Sequence, residues 1–315
     1  MKKINEIIGD AKTVGIAGHV RPDGDCMGSC MSLYNYLKKN RPDITVKVYL
    51  EYVDPKFNII DNTDCIDTNG YDGTTYELFI SLDTASTDRL GFNLPFFQNA
   101  KRTVCIDHHA SNSGYADYNY IVPEASSASE VLYELLDENL MDKSVAAPMY
   151  MGIAHDSGVF RFQSTTPKTM RIAARMMEFG IDINKILEDT FYRKSYNQLM
   201  VTAKIQSQTV LTMDGKCIYG YCTSEMMDEY GVTINDLDAV VASIRNVDGV
   251  EVAMFLYQLE EDKFKISLRS KTKVDVSEIA VGFGGGGHVR AAGFEVSGKL
   301  EQVIEMVLKK IKEKV

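Results

Sequence analysis

No stretch of this sequence approaches the roughly 18 consecutive apolar residues that a membrane-spanning helix requires. The opening MKKINEIIGDAKTVGIAGH also lacks the continuous apolar segment and small-residue cleavage site of a secretory leader. No membrane partner is expected, and the default location is cytoplasmic. A CxxC pair is missing as well. The cysteines, Cys26, Cys30, Cys65, Cys105, Cys217 and Cys222, are scattered along the chain, which fits reduced thiols rather than a disulfide framework. Cys26 and Cys30 stand four apart on an expected helix, where small buried residues are a plainer reading than metal ligands. Positive charge is short too: 34 Lys and Arg against 44 Asp and Glu leave a net charge of −10. That balance excludes a protein that coats long duplex nucleic acid through a broad basic surface. A short anionic ligand in one local pocket remains compatible with it, as does a homodimer.

At 315 residues the chain is too long for one ordinary core and suits two domains. In the first half, strand-like runs at Thr13–Gly18, Ile44–Leu50, Glu77–Leu82 and Arg102–Ile106 alternate with helical patterns. This order predicts an α/β domain over 1–190, a parallel sheet with helices on both faces. Helix start signals stand at Ser126, Ser144 and Thr166-Pro167, with a stop at Gly180. A helical linker is expected over 191–208, followed by a smaller α/β domain over 209–315. Its strands are Thr209–Met213, Lys216–Tyr221, Val250–Leu259 and Lys263–Arg269. The run Leu300, Val303, Ile304, Val307, Leu308, Ile311 keeps helical spacing and should pack on that second sheet.

Histidine is scarce, with five in all, yet His19, His108, His109, His155 and His288 all lie in segments rich in Asp or Gly. Three strands lead directly into polar clusters: GHVRPDGDCMGS after the first, SLDTAS around the third, VCIDHHAS after the fourth. In open parallel sheets ligands bind beyond the carboxyl ends of the strands, so these clusters should share one crevice. GIAHDSGVFRF adds Asp156 near the end of an apolar helix. Each cluster alone has a bland reading, because Asp and Gly are ordinary turn and cap residues. Together, Asp23, Asp25, Asp83 and Asp156 with His19 and His108 form an oxygen and nitrogen donor set without thiolate. Such a set suits manganese, iron or cobalt better than calcium or structural zinc. So many carboxylates repel one another unless cations lie between them. Two divalent ions resolve the repulsion and would activate a bridging water for phosphoester hydrolysis.

The motifs RPDGDCMGS, LDTAS, DHHAS and HDSGVFRF, in this order, resemble the four motifs of the DHH phosphoesterase superfamily. FGGGGHVRAAGF resembles the signature of its DHH-associated C-terminal domain, so the resemblance spans essentially the whole chain. It implies one metal held by His19, Asp23 and Asp83, and another by Asp25, Asp83, His108 and Asp156, with Mn2+ the expected ion. It further implies that His109 faces the substrate phosphate and that Asp107 supports neighbouring ligands. His155 receives no role. The lysine of a P-loop is absent beside the glycine run, which argues against an ATPase. Gly285, Gly286 and Gly287 instead allow backbone to approach an anion closely. By resemblance His288 and Arg269 would grip a nucleotide across the interdomain cleft. Arg290 reads either as a further phosphate ligand or as a solvated helix residue.

The branch most similar in length and motifs hydrolyses short oligoribonucleotides, linear dinucleotides such as pApA or pGpG, and 3′-phosphoadenosine 5′-phosphate (pAp). Cleavage polarity stays open. The alternatives are a pyrophosphatase or exopolyphosphatase, and a nucleotide sensor without catalysis.

Overall fold

Short runs rich in β-branched residues, such as TVGIA and TVKVY, form the strands of the first half and are largely buried, as parallel strands usually are. The computed structural model describes residues 3–237 and 240–315 and divides into two compact units, Met1–Arg193 and Lys194–Val315. The first unit carries β1 (Thr13–Ala17), β2 (Thr45–Tyr49), β3 (Ile66–Asp67), β4 (Leu78–Leu82), β5 (Thr103–Asp107) and β6 (Tyr118–Ile121). All neighbours pair in parallel, in the order β3-β2-β1-β4-β5-β6. The four expected strands are present within a residue or two of their limits; β3 and β6 extend the sheet beyond them.

One face of this sheet packs Val14, Ile16, Val48, Ile80 and Ile106 against the helices Gly24–Asn40, Ala128–Leu135 and Lys143–Asp156. The other face carries an aromatic layer of Tyr49, Tyr76, Phe79, Phe96 and Phe97, partly supplied by the short helix Leu94–Asn99. The helices Gly24–Asn40 and Lys143–Asp156 meet at glycine. A Cβ on Gly28 would stand 2.5 Å from the Pro148 carbonyl oxygen and 2.8 Å from the Gly152 backbone. Only a residue without a side chain allows so close a crossing, and these two helices carry Asp25 and Asp156. The Thr166-Pro167 start forms a capping box with Thr169, and the helix it opens ends at Glu178, two residues before Gly180 at φ 74°.

The second unit carries β7 (Val210–Thr212), β8 (Cys217–Cys222), β9 (Val252–Glu260), β10 (Lys263–Ser270), β11 (Gly286–His288) and β12 (Ala291–Ser297). Their order is β11-β12-β10-β9-β8-β7, antiparallel except for the parallel pair β8 and β9. Phe264, Ile266 and Leu268 alternate inward along β10 and meet Val303, Val307 and Ile311 of the helix Leu300–Lys312. The opposite face packs Ile218, Ala253 and Phe255 against Val201, Ile205, Val241 and Ile244. Residues 191–208, expected as a linker, therefore include a helix, Tyr196–Ser207, whose Val201 and Ile205 are fully buried within the second unit.

The glycine-rich segment forms the hairpin of β11 and β12. Gly287 has φ 144°, and a Cβ there would lie 2.4 Å from the Ala291 carbonyl oxygen, so the glycine serves tight pairing. Among the described residues no helix is long and apolar enough to cross a membrane.

Candidate metal centre

The strand order reverses between β1 and β4, which lie side by side although β2 and β3 separate them in sequence. Chains leaving such a pair diverge and open a crevice at the carboxyl ends of the strands. His19 follows β1, Asp83 follows β4, and Asp107 ends β5 with His108 and His109 behind it. Asp23 caps the helix Gly24–Asn40, accepting the backbone N–H of Asp25 at 3.0 Å and of Cys26 at 3.1 Å. Asp25, in the first turn of that helix, accepts the N–H groups of Ala128 at 2.6 Å and Ser129 at 3.0 Å, at the start of a second helix. Asp156 is the last residue of the helix Lys143–Asp156. The six residues expected as metal ligands thus converge from four motifs.

Their donor atoms form two groups, His19 with Asp23 and Asp83, and Asp25 with His108 and Asp156, each with its atoms within 4.8 Å of one another. Asp83 joins them. Its Oδ2 lies 3.5 Å from His19 Nε2, and its Oδ1 lies 3.5 Å from His108 Nε2, which is 3.2 Å from Asp156 Oδ2. Asp83 is 3% exposed and sits at φ 52°, a left-handed conformation that Asp tolerates better than most residues. A third group of atoms combines Asp83, His108 and His109. His109 Nδ1, however, is 2.8 Å from Asp107 Oδ1, so that nitrogen donates to Asp107. Asp107 is wholly buried, and its other oxygen accepts from Asn112 Nδ2 at 2.7 Å. Its carboxylate thus bridges His109 and Asn112.

The electrostatics show that these residues suit cations. Burial and the neighbouring Asp83 carboxylate push Asp25 up to about 7. Burial and then Asp25 push Asp156 well above the carboxylate range. Burial alone would depress His108, yet the Asp83 and Asp156 carboxylates lift it to about 10. These shifts express the repulsion among crowded buried carboxylates, which divalent ions would offset. Asp83 Oδ1, buried without a hydrogen-bond donor among the described residues, is the atom a cation would satisfy. Oxygen and imidazole donors without thiolate complete the fit.

A sequence model of the DHH family N-terminal domain matches residues 13–153, and one of the DHHA1 domain matches residues 214–315. The bifunctional oligoribonuclease and PAP phosphatase NrnA of Thermus thermophilus is 30% identical over 307 residues, covering 95% of this chain and 89% of that protein. The chain belongs to the DHH family. The bifunctional oligoribonuclease and PAP phosphatase NrnA of Bacillus subtilis is 26% identical over 289 residues, covering 90% and 89%. A crystal structure of an exopolyphosphatase-related protein from Bacteroides fragilis shares the fold, with a TM-score of 0.89 at 24% identity over 98% of this chain and 95% of that one. This protein is accordingly a phosphoesterase of the DHH family.

Elsewhere in this DHH phosphoesterase, Arg269 on β10 and His288 on β11 each pair in register with Ala291 of β12. Directly opposed residues share a sheet face, so the two side chains flank one small alanine. Gly286 and Gly287 belong to the same hairpin and Gly285 precedes it. Arg290 is not on a helix. It occupies the turn between β11 and β12, where Nη1 donates to the Val274 carbonyl at 2.8 Å and Nη2 to that of Thr272. Those bonds tie down the loop after β10. His155 has a defined structural role, because its Nε2 lies 2.9 Å from Thr190 Oγ1 and its ring packs by Phe57 and Phe191. Since the Thr190 hydroxyl donates to the Ile186 carbonyl, it accepts from His155.

Sequence reasoning missed Asn112, the backbone donors of Ala128 and Ser129, and Arg89, whose Nη2 lies 3.4 Å from His19 Nδ1. Only Asn112, five residues beyond Asp107 in an Asp- and His-rich turn, carried a local signal.

Proposed function

We propose that this protein hydrolyses short oligoribonucleotides, including linear dinucleotides such as pApA and pGpG, to mononucleotides, and pAp to AMP and phosphate. The observation that carries this reading is Asp83, one buried carboxylate reaching both ligand groups at the switch point of a parallel sheet. The oligoribonuclease and PAP phosphatase functions of the NrnA relatives supply the substrate class. Manganese is the ion proposed, on the strength of the mixed donor set. His19, Asp23 and Asp83 would hold one ion, and Asp25, Asp83, His108 and Asp156 the other. When bound, the two ions supply positive charge that activates water and offsets the charge of the transferring phosphoryl group.

The chain's own residues do the rest. The Ala128 and Ser129 N–H groups fix the Asp25 carboxylate. Asp107, braced by Asn112, holds His109 Nδ1 and so orients the ring to present Nε2 to a substrate phosphate. Residues 1–190 carry this chemistry, while Arg269, His288 and the β11–β12 hairpin of 209–315 grip the nucleotide. Arg290 acts there by fixing the loop beneath them. The same reading places the enzyme in the cytoplasm.

Turnover of pApA, pAp and pyrophosphate by purified protein with Mn2+ tests the proposal. Release of AMP from the first two with little action on pyrophosphate is expected. Preference for pyrophosphate would make the protein a pyrophosphatase, and tight dinucleotide binding without products would make it a sensor.

A further inference from the structure

Arg89 lies in the turn Thr87–Asn93 beyond Asp83 and closes on Val20 from two directions. The Val20 N–H donates to the Arg89 carbonyl at 2.7 Å, and Arg89 Nη2 reaches the Val20 carbonyl at 3.4 Å. His19 Nδ1, also 3.4 Å from Nη2, donates to the Val20 carbonyl at 2.8 Å and therefore offers the guanidinium no acceptor. Among the described residues Arg89 forms no ion pair, although Asp23, Asp25, Asp83, Asp107 and Asp156 all lie in the motifs around it. A guanidinium carries five donors in a rigid fork suited to phosphate oxygens. Here one long hydrogen bond uses it.

The residue after Val20 is Arg21, exposed, at φ 54°. A left-handed conformation is uncommon for a residue other than glycine, and one before proline is disfavoured further. Among the described residues its side chain also has no ion pair or hydrogen bond. Val20, bonded to the Arg89 backbone, thus brings the chain at Arg21 next to the chain at Arg89. Arg89 stands on the Nδ1 edge of His19, whereas the Nε2 edge faces Asp23 and Asp83 at 3.8 and 3.5 Å. An anion bound there would be displaced from the one undergoing hydrolysis.

We propose that Arg21 and Arg89 form a receptor for a second phosphate of the substrate, the one that is not cleaved. This rests on the nucleotide phosphoesterase reading above. The receptor selects substrates with two phosphates separated by a nucleoside, such as pAp or a 5′-phosphorylated dinucleotide, over those with one.

The test compares pApA with ApA, which lacks the 5′-phosphate, in the presence of Mn2+, and measures pAp affinity by calorimetry in EDTA. Arg89→Gln and Arg21→Gln should each lower kcat/KM on pApA about tenfold more than on ApA, and weaken pAp binding about tenfold or more. Arg89→Lys, which keeps the charge but not the fork, should recover part of both. Equal loss on pApA and ApA with unchanged pAp affinity, in variants with wild-type circular dichroism, would overturn the receptor. If wild-type protein releases no mononucleotide from pApA, the proposed function fails, and the pAp affinities alone then decide the receptor.

Discussion

Replacing Asp83 removes a side chain that reaches both ligand groups. Its two oxygens stand 3.5 Å from His19 Nε2 and 3.5 Å from His108 Nε2, so its loss reduces the donors of two ions at once. A hydrogen bond to a charged group contributes about 1.5–3 kcal/mol, and two such interactions give about 3–6 kcal/mol. At about 1.4 kcal/mol per decade that is roughly a hundredfold to ten-thousandfold. Asp83→Ala is therefore expected to lower kcat/KM about a hundredfold to ten-thousandfold. Asp83→Asn is the sharper variant, because Asn accepts the left-handed backbone at φ 52° and keeps the side-chain shape. It should remain folded while losing most of the activity. Metal content by inductively coupled plasma mass spectrometry, with turnover of pApA, reads the effect. An Asp83→Asn protein that retained two metals per chain and near-normal turnover would refute the proposed ligand set.

Three further outcomes follow from particular contacts. His288→Ala or Arg269→Ala should cost about ten- to hundredfold in kcat/KM on nucleotides but far less on bis(p-nitrophenyl) phosphate, with metal content unchanged; equal loss on both would mean that the hairpin serves the fold. Burial depresses His155 to about 4 from its ordinary 6.5, so its contribution to stability is present above about pH 6.5 and lost as pH falls toward 4. Melting in EDTA should accordingly show the gap between wild type and His155→Gln narrowing over that interval, and a constant gap would contradict it. Gly28→Ala forces a Cβ to within 2.5 Å of the Pro148 carbonyl and should destabilise by about 1–3 kcal/mol in urea, with reduced activity because Asp25 and Asp156 ride on the separated helices.

The site is more legible in the sequence than parts of the fold, for a physical reason. Metal ligands must be particular residue types, and a parallel sheet delivers them at strand ends, so GHVRPDGD, LDT and DHH mark both chemistry and position. The capped helix at Thr166-Pro167 is readable because its signals are local. Pairing is not local. The segment GGGGHVRAAGF contains no alternating apolar pattern in its first half, and only contact with β10 makes Ala291–Ser297 a strand. Arg290 reads poorly for the same reason, since its carbonyl partners Thr272 and Val274 are distant in sequence. Tyr196–Ser207 reads as a helical linker because it buries only Val201 and Ile205, too few to announce that it packs within the second unit. Arg89 carries no signal at all, because its place beside His19 exists only once β1 and β4 are neighbours.

The most direct measurement of the central claim is a time course on end-labelled RNAs of two to seven nucleotides, with Mn2+ present, replaced by Ca2+, or chelated. The account predicts release of mononucleotides from the shortest RNAs with Mn2+, none after chelation, and at most about a hundredth of the wild-type rate from Asp83→Asn. Activity that survives chelation, or mononucleotide release that Asp83→Asn leaves intact, would contradict it.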